Sequence, residues 1–268
     1  MPESTLPGWV KVERRGPTAI LIIDNPAKRN ALHPDLLVDF LAALDAIEKS
    51  EVRVLVLRGA GDKSFCSGFD ISAIPTRIPP SEFSEKSPRN IVQEVIGQLE
   101  VFRVPTIAML NGHAWGAGCE MATVCDLRVA VKDATFGMPP AKLGIIYSPR
   151  GLTRFLHLIG LANTKEMFLA ARPVDARRAL GMGLVSHVVP REDLEPFVMS
   201  LADDIAANAP LALQGMKRIL AACVASCAIG PQDEAEAMRL IAESFASNDL
   251  VEGQAAFLEG RKPEFKGR

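Results

Sequence analysis

Residues 105–126 limit the folding of this chain more than any other stretch, because an apolar run, a glycine-rich turn and a helix-forming segment follow one another directly. The run 105–110 (PTIAML) reads as a buried strand. Gly112, Gly116 and Gly118 then let the backbone turn tightly and approach a ligand, since glycine accepts positive φ and has no side chain in the way. From Ala117 a helix is expected, whose first amides have no partner within it and carry the positive end of its dipole. An oxyanion is stabilised in such a place. Glu120 falls in the first turn of the same helix, so one rigid segment offers backbone donors together with a carboxylate able to move a proton. A glycine turn also serves as a plain strand-to-helix connection. The dinucleotide-binding pattern does not apply, because Met121 stands where its third glycine would be.

The flanking sequence supplies the layers. Residues 10–13 and 18–24 form an expected hairpin about the turn 14–17. Leu36, Leu37, Phe40, Leu41, Leu44 and Ile47 recur at helical spacing within 34–50. The continuous apolar run at 53–58 suits a parallel strand covered on both faces. A loop at 59–71 leads to a flap at 72–90, rich in proline and polar residues, and then to a helix at 91–102. Strands are expected at 104–110, 127–131 and 183–189, a loop at 135–149, and helices at 150–158, 164–170 and 174–180. Beyond residue 192 the pattern is helical, with breaks near 208–210, 230–231 and 248. Alternating strands and helices indicate α/β layering on a mostly parallel sheet.

A net charge of −2 excludes the basic excess of a nucleic-acid binder, and a single tyrosine argues against a base-stacking platform. Cys66, Cys119, Cys125, Cys223 and Cys227 form no C-x-x-C pair, which suits reduced thiols and a cytoplasmic location. Residues 1–16 lack an apolar targeting core and no stretch reaches membrane-spanning length, so neither secretion nor membrane insertion is expected. His33, His113, His157 and His187 are too scattered to suggest a metal site.

Five segments in order, 25–32 (NPAKRNAL), 65–71 (FCSGFDI), 111–120 (NGHAWGAGCE), 125–128 (CDLR) and 252–265 (EGQAAFLEGRKPEF), resemble the motifs of the crotonase superfamily, the enoyl-CoA hydratase/isomerase family. The resemblance runs from about Val10 to the C-terminus. It implies an α/β fold, with a crotonase-like core of ββα turns forming a spiral over 1–190 and a helical C-terminal trimerisation region over 191–268 that packs on the core and on a neighbouring subunit. Homotrimers, or hexamers made as dimers of trimers, are implied as well. The substrates would be acyl-CoA thioesters, with coenzyme A as part of the substrate and no permanently bound cofactor.

Residue by residue, the resemblance puts oxyanion-hole amides at Ser67 and Ala117 and an acid/base at Glu120. Gly68, Phe69, Asp70, Cys66 and Gly116 belong to the same substrate-binding loops, and Lys28, Arg29 and Ala31 to the segment along coenzyme A. Either Lys28 or Arg29 would offset phosphate charge, or the loop is simply solvated. Phe257 matches an aromatic that reaches the adenine end from a neighbouring subunit, with Arg261 and Lys262 close by.

One departure bears on the chemistry. Hydratases of this family use a second glutamate after a Phe-Gly-x-Pro motif, and here Pro140 follows Phe136-Gly137-Met138-Pro139. No acidic residue occurs in 134–165. Tyr147 lies where relatives build the far wall of the acyl pocket, as it does in relatives that decarboxylate malonyl-type thioesters, although those carry histidine where this chain has Phe69. Arg150 either binds a substrate carboxylate or pairs on a helix surface. Three readings follow: an acyl-CoA lyase or isomerase in which Glu120 is the acid/base, a malonyl-type acyl-CoA decarboxylase using Tyr147, and a weakly catalytic acyl-CoA-binding oligomer.

Overall fold

The computed structural model describes residues 9–78, 88–225 and 230–266. It opens with the expected hairpin: β1 (Val10–Arg15) and β2 (Thr18–Ile23) pair antiparallel around Gly16, whose φ of 56° the turn requires. Helix α1 (Pro34–Glu48) buries the leucines and Phe40 that define its periodicity, and the His33 ring caps it by accepting from the Asp35 amide.

A unit of long strand, short strand and helix then repeats. Strands β3 (Val54–Gly59) and β4 (Ser64–Cys66) precede α2 (Pro88–Glu100). Next come β5 (Thr106–Leu110), β6 (His113–Trp115) and α3 (Ala117–Thr123), followed by β7 (Leu127–Val131), β8 (Thr135–Gly137) and α4 (Pro149–Lys165). Strand β9 (Val174–Asp175), α5 (Ala176–Gly181) and β10 (His187–Val189) close the core. The long strands and the three-residue β10 gather in a six-stranded sheet, β1-β2-β3-β5-β7-β10, which is parallel apart from the first hairpin. The short ones make a second sheet, β4-β6-β8-β9. Each unit therefore gives one strand to each sheet, and the chain advances as a spiral.

The second sheet was not apparent from sequence. The strands β4, β6 and β8 lie in segments that read as loops and β9 in one that reads as a helix, because two or three residues are too few to show a period of two and are held by partners distant in sequence. The helices expected at 150–158 and 164–170 are joined: α4 runs through a bend at Gly160 (φ 75°) into a π-helical turn, Glu166–Ala170. The segment expected to be helical at 174–180 starts as β9, after which the Asp175 carboxylate caps α5 through the Arg178 amide at 2.7 Å. Of the expected flap, residues 79–87 lie outside the described residues, as does Cys227.

Helix α6 (Leu194–Ala207) crosses the long sheet and buries Leu194, Val198, Ala202 and Ala206. Helix α7 (Pro210–Ala225) exposes Leu211, Met216, Ile219 and Leu220. Helices α8 (Pro231–Ala246) and α9 (Asn248–Glu259) fold back over the loops, where Ile241, Phe245 and Leu250 cluster with Ile74 and Ile145. No described helix is long and apolar enough to cross a membrane.

Candidate active site

Two glycine loops meet at the C-terminal ends of β4 and β6. The approach is so close that a Cβ on Gly68 (φ 95°) would lie 2.7 Å from the Trp115 carbonyl oxygen and 3.4 Å from the Ala117 nitrogen. Gly118 packs against the residue that starts the first loop, and a Cβ there would sit 2.5 Å from the Cys66 carbonyl oxygen and 2.6 Å from its Sγ. Gly118→Ala is therefore expected to lose about 1–3 kcal/mol by overpacking, read from the urea midpoint at unchanged m-value. A neutral result would mean that the two loops yield freely.

The first loop is not a regular strand, because Gly68 has a φ of 95°, and its amides are used unevenly. Ser67 N–H donates to the Arg29 carbonyl at 3.1 Å, and Asp70 N–H to the Leu32 carbonyl at 3.0 Å. The Ser67 amide, expected from the resemblance to serve a ligand, is thus already committed to the loop at 25–32. Phe69 N–H has no hydrogen bond among the described residues, and neither has Ala117 N–H at the first position of α3. Both residues line the same pocket. Two amides without a partner, in residues that line one cavity, are the kind of group that can hold a developing oxyanion.

The remaining loop residues divide between lining and scaffold. Gly68 and Gly116 line the pocket. Cys66 is fully buried beneath it, its Sγ accepting from the Gly68 amide at 3.4 Å, and burial pushes the thiol up to about 12 despite that donor. A buried thiol held in its protonated form is poorly suited to act as a nucleophile. Ala31 is buried, while Lys28 pairs with Asp70 at 2.8 Å. Partial burial opposes the Asp70 charge, but Lys28 and Ser72 outweigh it and hold the carboxyl below the usual range. Asn25 and Asn30 knit the 25–32 loop: Asn30 Nδ2 donates to the Ala60 and Ser64 carbonyls and Asn25 Nδ2 to that of Ala31. Arg29 and Phe257 are exposed, the latter on the outer face of α9.

Glu120 has 0% exposure and does not line the pocket. Arg154, on α4, donates from Nη1 to its Oε1 at 2.6 Å, Gln93 Nε2 donates to Oε2 at 3.2 Å, and the Tyr147 hydroxyl donates a short bond to Oε2. The same guanidinium grips Glu100 at 3.1 and 2.9 Å, and Arg150 pairs with Glu100 at 2.7 Å, so Arg150 belongs to this network and not to the pocket wall. Burial acts against the Arg154 charge, but Glu100 and Glu120 outweigh it and hold the guanidinium firmly protonated.

Tyr147 closes one side of the pocket. Its ring packs against Phe168, on the π-helical turn, with centroids 5.3 Å apart. Gly151 makes room for the tyrosine, since a Cβ there would lie 2.5 Å from Tyr147 Cε1 and 2.9 Å from Glu120 Oε1. Around the tyrosine the wall is apolar: Ile71, Ile74, Val92, Pro140, Leu143, Ile145 and Phe245. Pro140 is buried at the start of a 3₁₀ turn, Pro140–Leu143. Gln93, Gly151, Arg154, Phe168 and Phe245 were not singled out from sequence, where each reads as an ordinary helical residue. Among the described residues no group of three or more His, Cys, Asp and Glu side chains could hold a metal ion.

Comparison with known proteins fits this geometry. A family model described as enoyl-CoA hydratase/isomerase matches residues 14–268. The chain is 35% identical to a short-chain-enoyl-CoA hydratase of Clostridium acetobutylicum, over 97% of this chain and 98% of that one. It is 32% identical to a methylmalonyl-CoA decarboxylase of Escherichia coli, again over 97% and 98%. A crystal structure of methylmalonyl-CoA decarboxylase complexed with 2S-carboxypropyl-CoA superposes with a TM-score of 0.90 at 31% identity, covering 97% of this chain and 98% of that one.

Proposed function

Because the chain belongs to the enoyl-CoA hydratase/isomerase family of acyl-CoA enzymes, we propose that it decarboxylates a 2-carboxyacyl-CoA of the malonyl type. The observation that carries this reading is a pocket with two unpaired amides and no carboxylate side chain among its described lining residues. Hydration needs paired groups to hold and split water. Pro140 stands where the second carboxylate of the family's hydratases would be, and Glu120 lies below the pocket, neutralised by Arg154. Decarboxylation needs neither.

In this reading the thioester oxygen sits between Phe69 N–H and Ala117 N–H. The bond from the α-carbon to the carboxylate breaks, its electron pair passes into the thioester, and carbon dioxide departs, leaving an enolate whose charge is held on that oxygen. An apolar wall favours this step, because the charged carboxylate is poorly solvated there while carbon dioxide is neutral. The Tyr147 O–H then turns from Glu120 toward the enolate carbon and gives it the proton, and solvent restores the proton to the phenolate. Glu120 and Phe168 hold the phenol in place.

The test is a purified-protein assay with methylmalonyl-CoA and crotonyl-CoA. Carbon dioxide and propionyl-CoA are expected from the first and no hydration of the second. Tyr147→Phe is expected to lower the decarboxylation kcat by about 10²-fold, the low end for a general acid because water in the open pocket supplies some protons. Crotonyl-CoA hydration abolished by Glu120→Gln would overturn the reading in favour of the hydratase-like chemistry of the Clostridium acetobutylicum relative. The finer assembly is also proposed: the exposed apolar side chains of α7 support packing against neighbouring copies in a trimer. Light scattering is expected to report three chains, and Ile219→Lys to lower that number.

A further inference from the structure

We infer that Gln93 selects the substrate by binding the carboxylate on its α-carbon, an assignment that rests on the decarboxylase reading. Gln93 projects from α2 and lines the pocket beside Val92 and Tyr147. Its amide orientation is set by its partners. Oε1 accepts from Arg154 Nη1 at 3.2 Å and Nε2 donates to the Glu120 carboxylate at 3.2 Å; a guanidinium only donates and a carboxylate only accepts. Nε2 also lies 3.5 Å from Glu120 Oε1, but both oxygens belong to one carboxylate on one side of the amide nitrogen, so one hydrogen serves both and the other has no partner among the described residues.

The other side-chain donors among the described lining residues are already committed. Ser67 Oγ donates to the Lys28 carbonyl at 3.2 Å, and the Tyr147 hydroxyl donates to Glu120. Phe69 and Ala117 amides serve the thioester oxygen. Among the described lining residues there is no lysine, arginine or histidine. Gln93 Nε2–H is therefore the uncommitted side-chain donor that the described lining offers a carboxylate.

The choice of a neutral donor suits the reaction. An arginine at this point would bind the carboxylate strongly and resist its conversion to neutral carbon dioxide, whereas only interactions that persist to the transition state speed the step. A single amide N–H identifies the group without stabilising its charge to that degree. Gln93 is tied to Glu120 and Arg154, so its direction is fixed before the substrate arrives.

The experiment compares binding of 2S-carboxypropyl-CoA, the ligand held by the superposed decarboxylase, with binding of S-propyl-CoA by calorimetry. Both are thioethers, so neither engages the oxyanion site through a thioester nor reacts. For Gln93→Met, affinity for the carboxylated ligand is expected to fall about 10-fold or more, as for a lost hydrogen bond to a charged group, while S-propyl-CoA changes less than about twofold. Gln93→Glu, which sets like charges together, is expected to shift the preference further toward S-propyl-CoA. Retained S-propyl-CoA binding shows that each variant is folded. Equal losses for both ligands, or no loss for either, would overturn the assignment. If wild type releases no carbon dioxide from methylmalonyl-CoA yet shows the carboxylate-selective loss, the decarboxylase reading falls and the carboxylate site stands. Carbon dioxide release with equal losses has the opposite meaning.

Discussion

Arg154→Met is expected to lower the unfolding free energy by about 3–5 kcal/mol, the cost of leaving a buried charge without its partner. The Arg154 side chain is 6% exposed and that of Glu120 0%, with Nη1 and Oε1 2.6 Å apart. Methionine fills similar space, so the loss is electrostatic and not a cavity. Only the neutral Gln93 amide and Tyr147 hydroxyl would remain to satisfy the Glu120 carboxylate. Glu100 is less affected, being 30% exposed and keeping Arg150. Urea denaturation measures the effect, and the Arg154→Met/Glu120→Gln double variant is expected to regain much of the loss, since the two residues are directly coupled. A loss under about 1 kcal/mol, or a double variant no more stable than the single one, would show that the pair behaves like a surface ion pair.

Ala117→Pro should leave the fold intact and cut kcat by about 10²–10³, the usual consequence of deleting one oxyanion donor. Side-chain substitution cannot remove a backbone amide, but proline can. The position permits it: Ala117 is the first residue of α3, where the lost N–H has no intrahelical partner, and its own amide makes no hydrogen bond among the described residues. Gly116 precedes it and has no Cβ to strike the ring. Binding of S-propyl-CoA should change little, because that ligand has no thioester oxygen. Unaltered kcat in a folded variant would remove Ala117 N–H from the mechanism. The matched substitution at residue 67 is expected to act differently, because the Ser67 amide bonds to Arg29 and its loss disturbs the loop itself.

Much of the spiral was legible because its signals are local. The apolar run of β5, the glycines that follow and the start of α3 at Ala117 are properties of adjacent residues, and the structure has all three in that order. Helix α1 declared itself through period, and the long parallel strands through continuous apolar runs. The pairing of β4, β6, β8 and β9 had no such signal, since each is too short to show one.

Within the site, sequence identified the pieces and not their availability. It marked both glycine loops, Glu120, the missing acid at Pro140 and the lone tyrosine. Whether the Ser67 or the Phe69 amide is available to a ligand depends on which amides of the loop are taken by residues 29–32, a contact made across the fold. Whether Glu120 is a free acid/base depends on Arg154 and Gln93, which helices α4 and α2 deliver from 34 and 27 residues away. Backbone conformation and burial follow from neighbouring residues, so the chain by itself determined the scaffold and the chemistry-bearing residue types. Charge state and donor availability follow from partners brought together in space, and only the tertiary structure decided those.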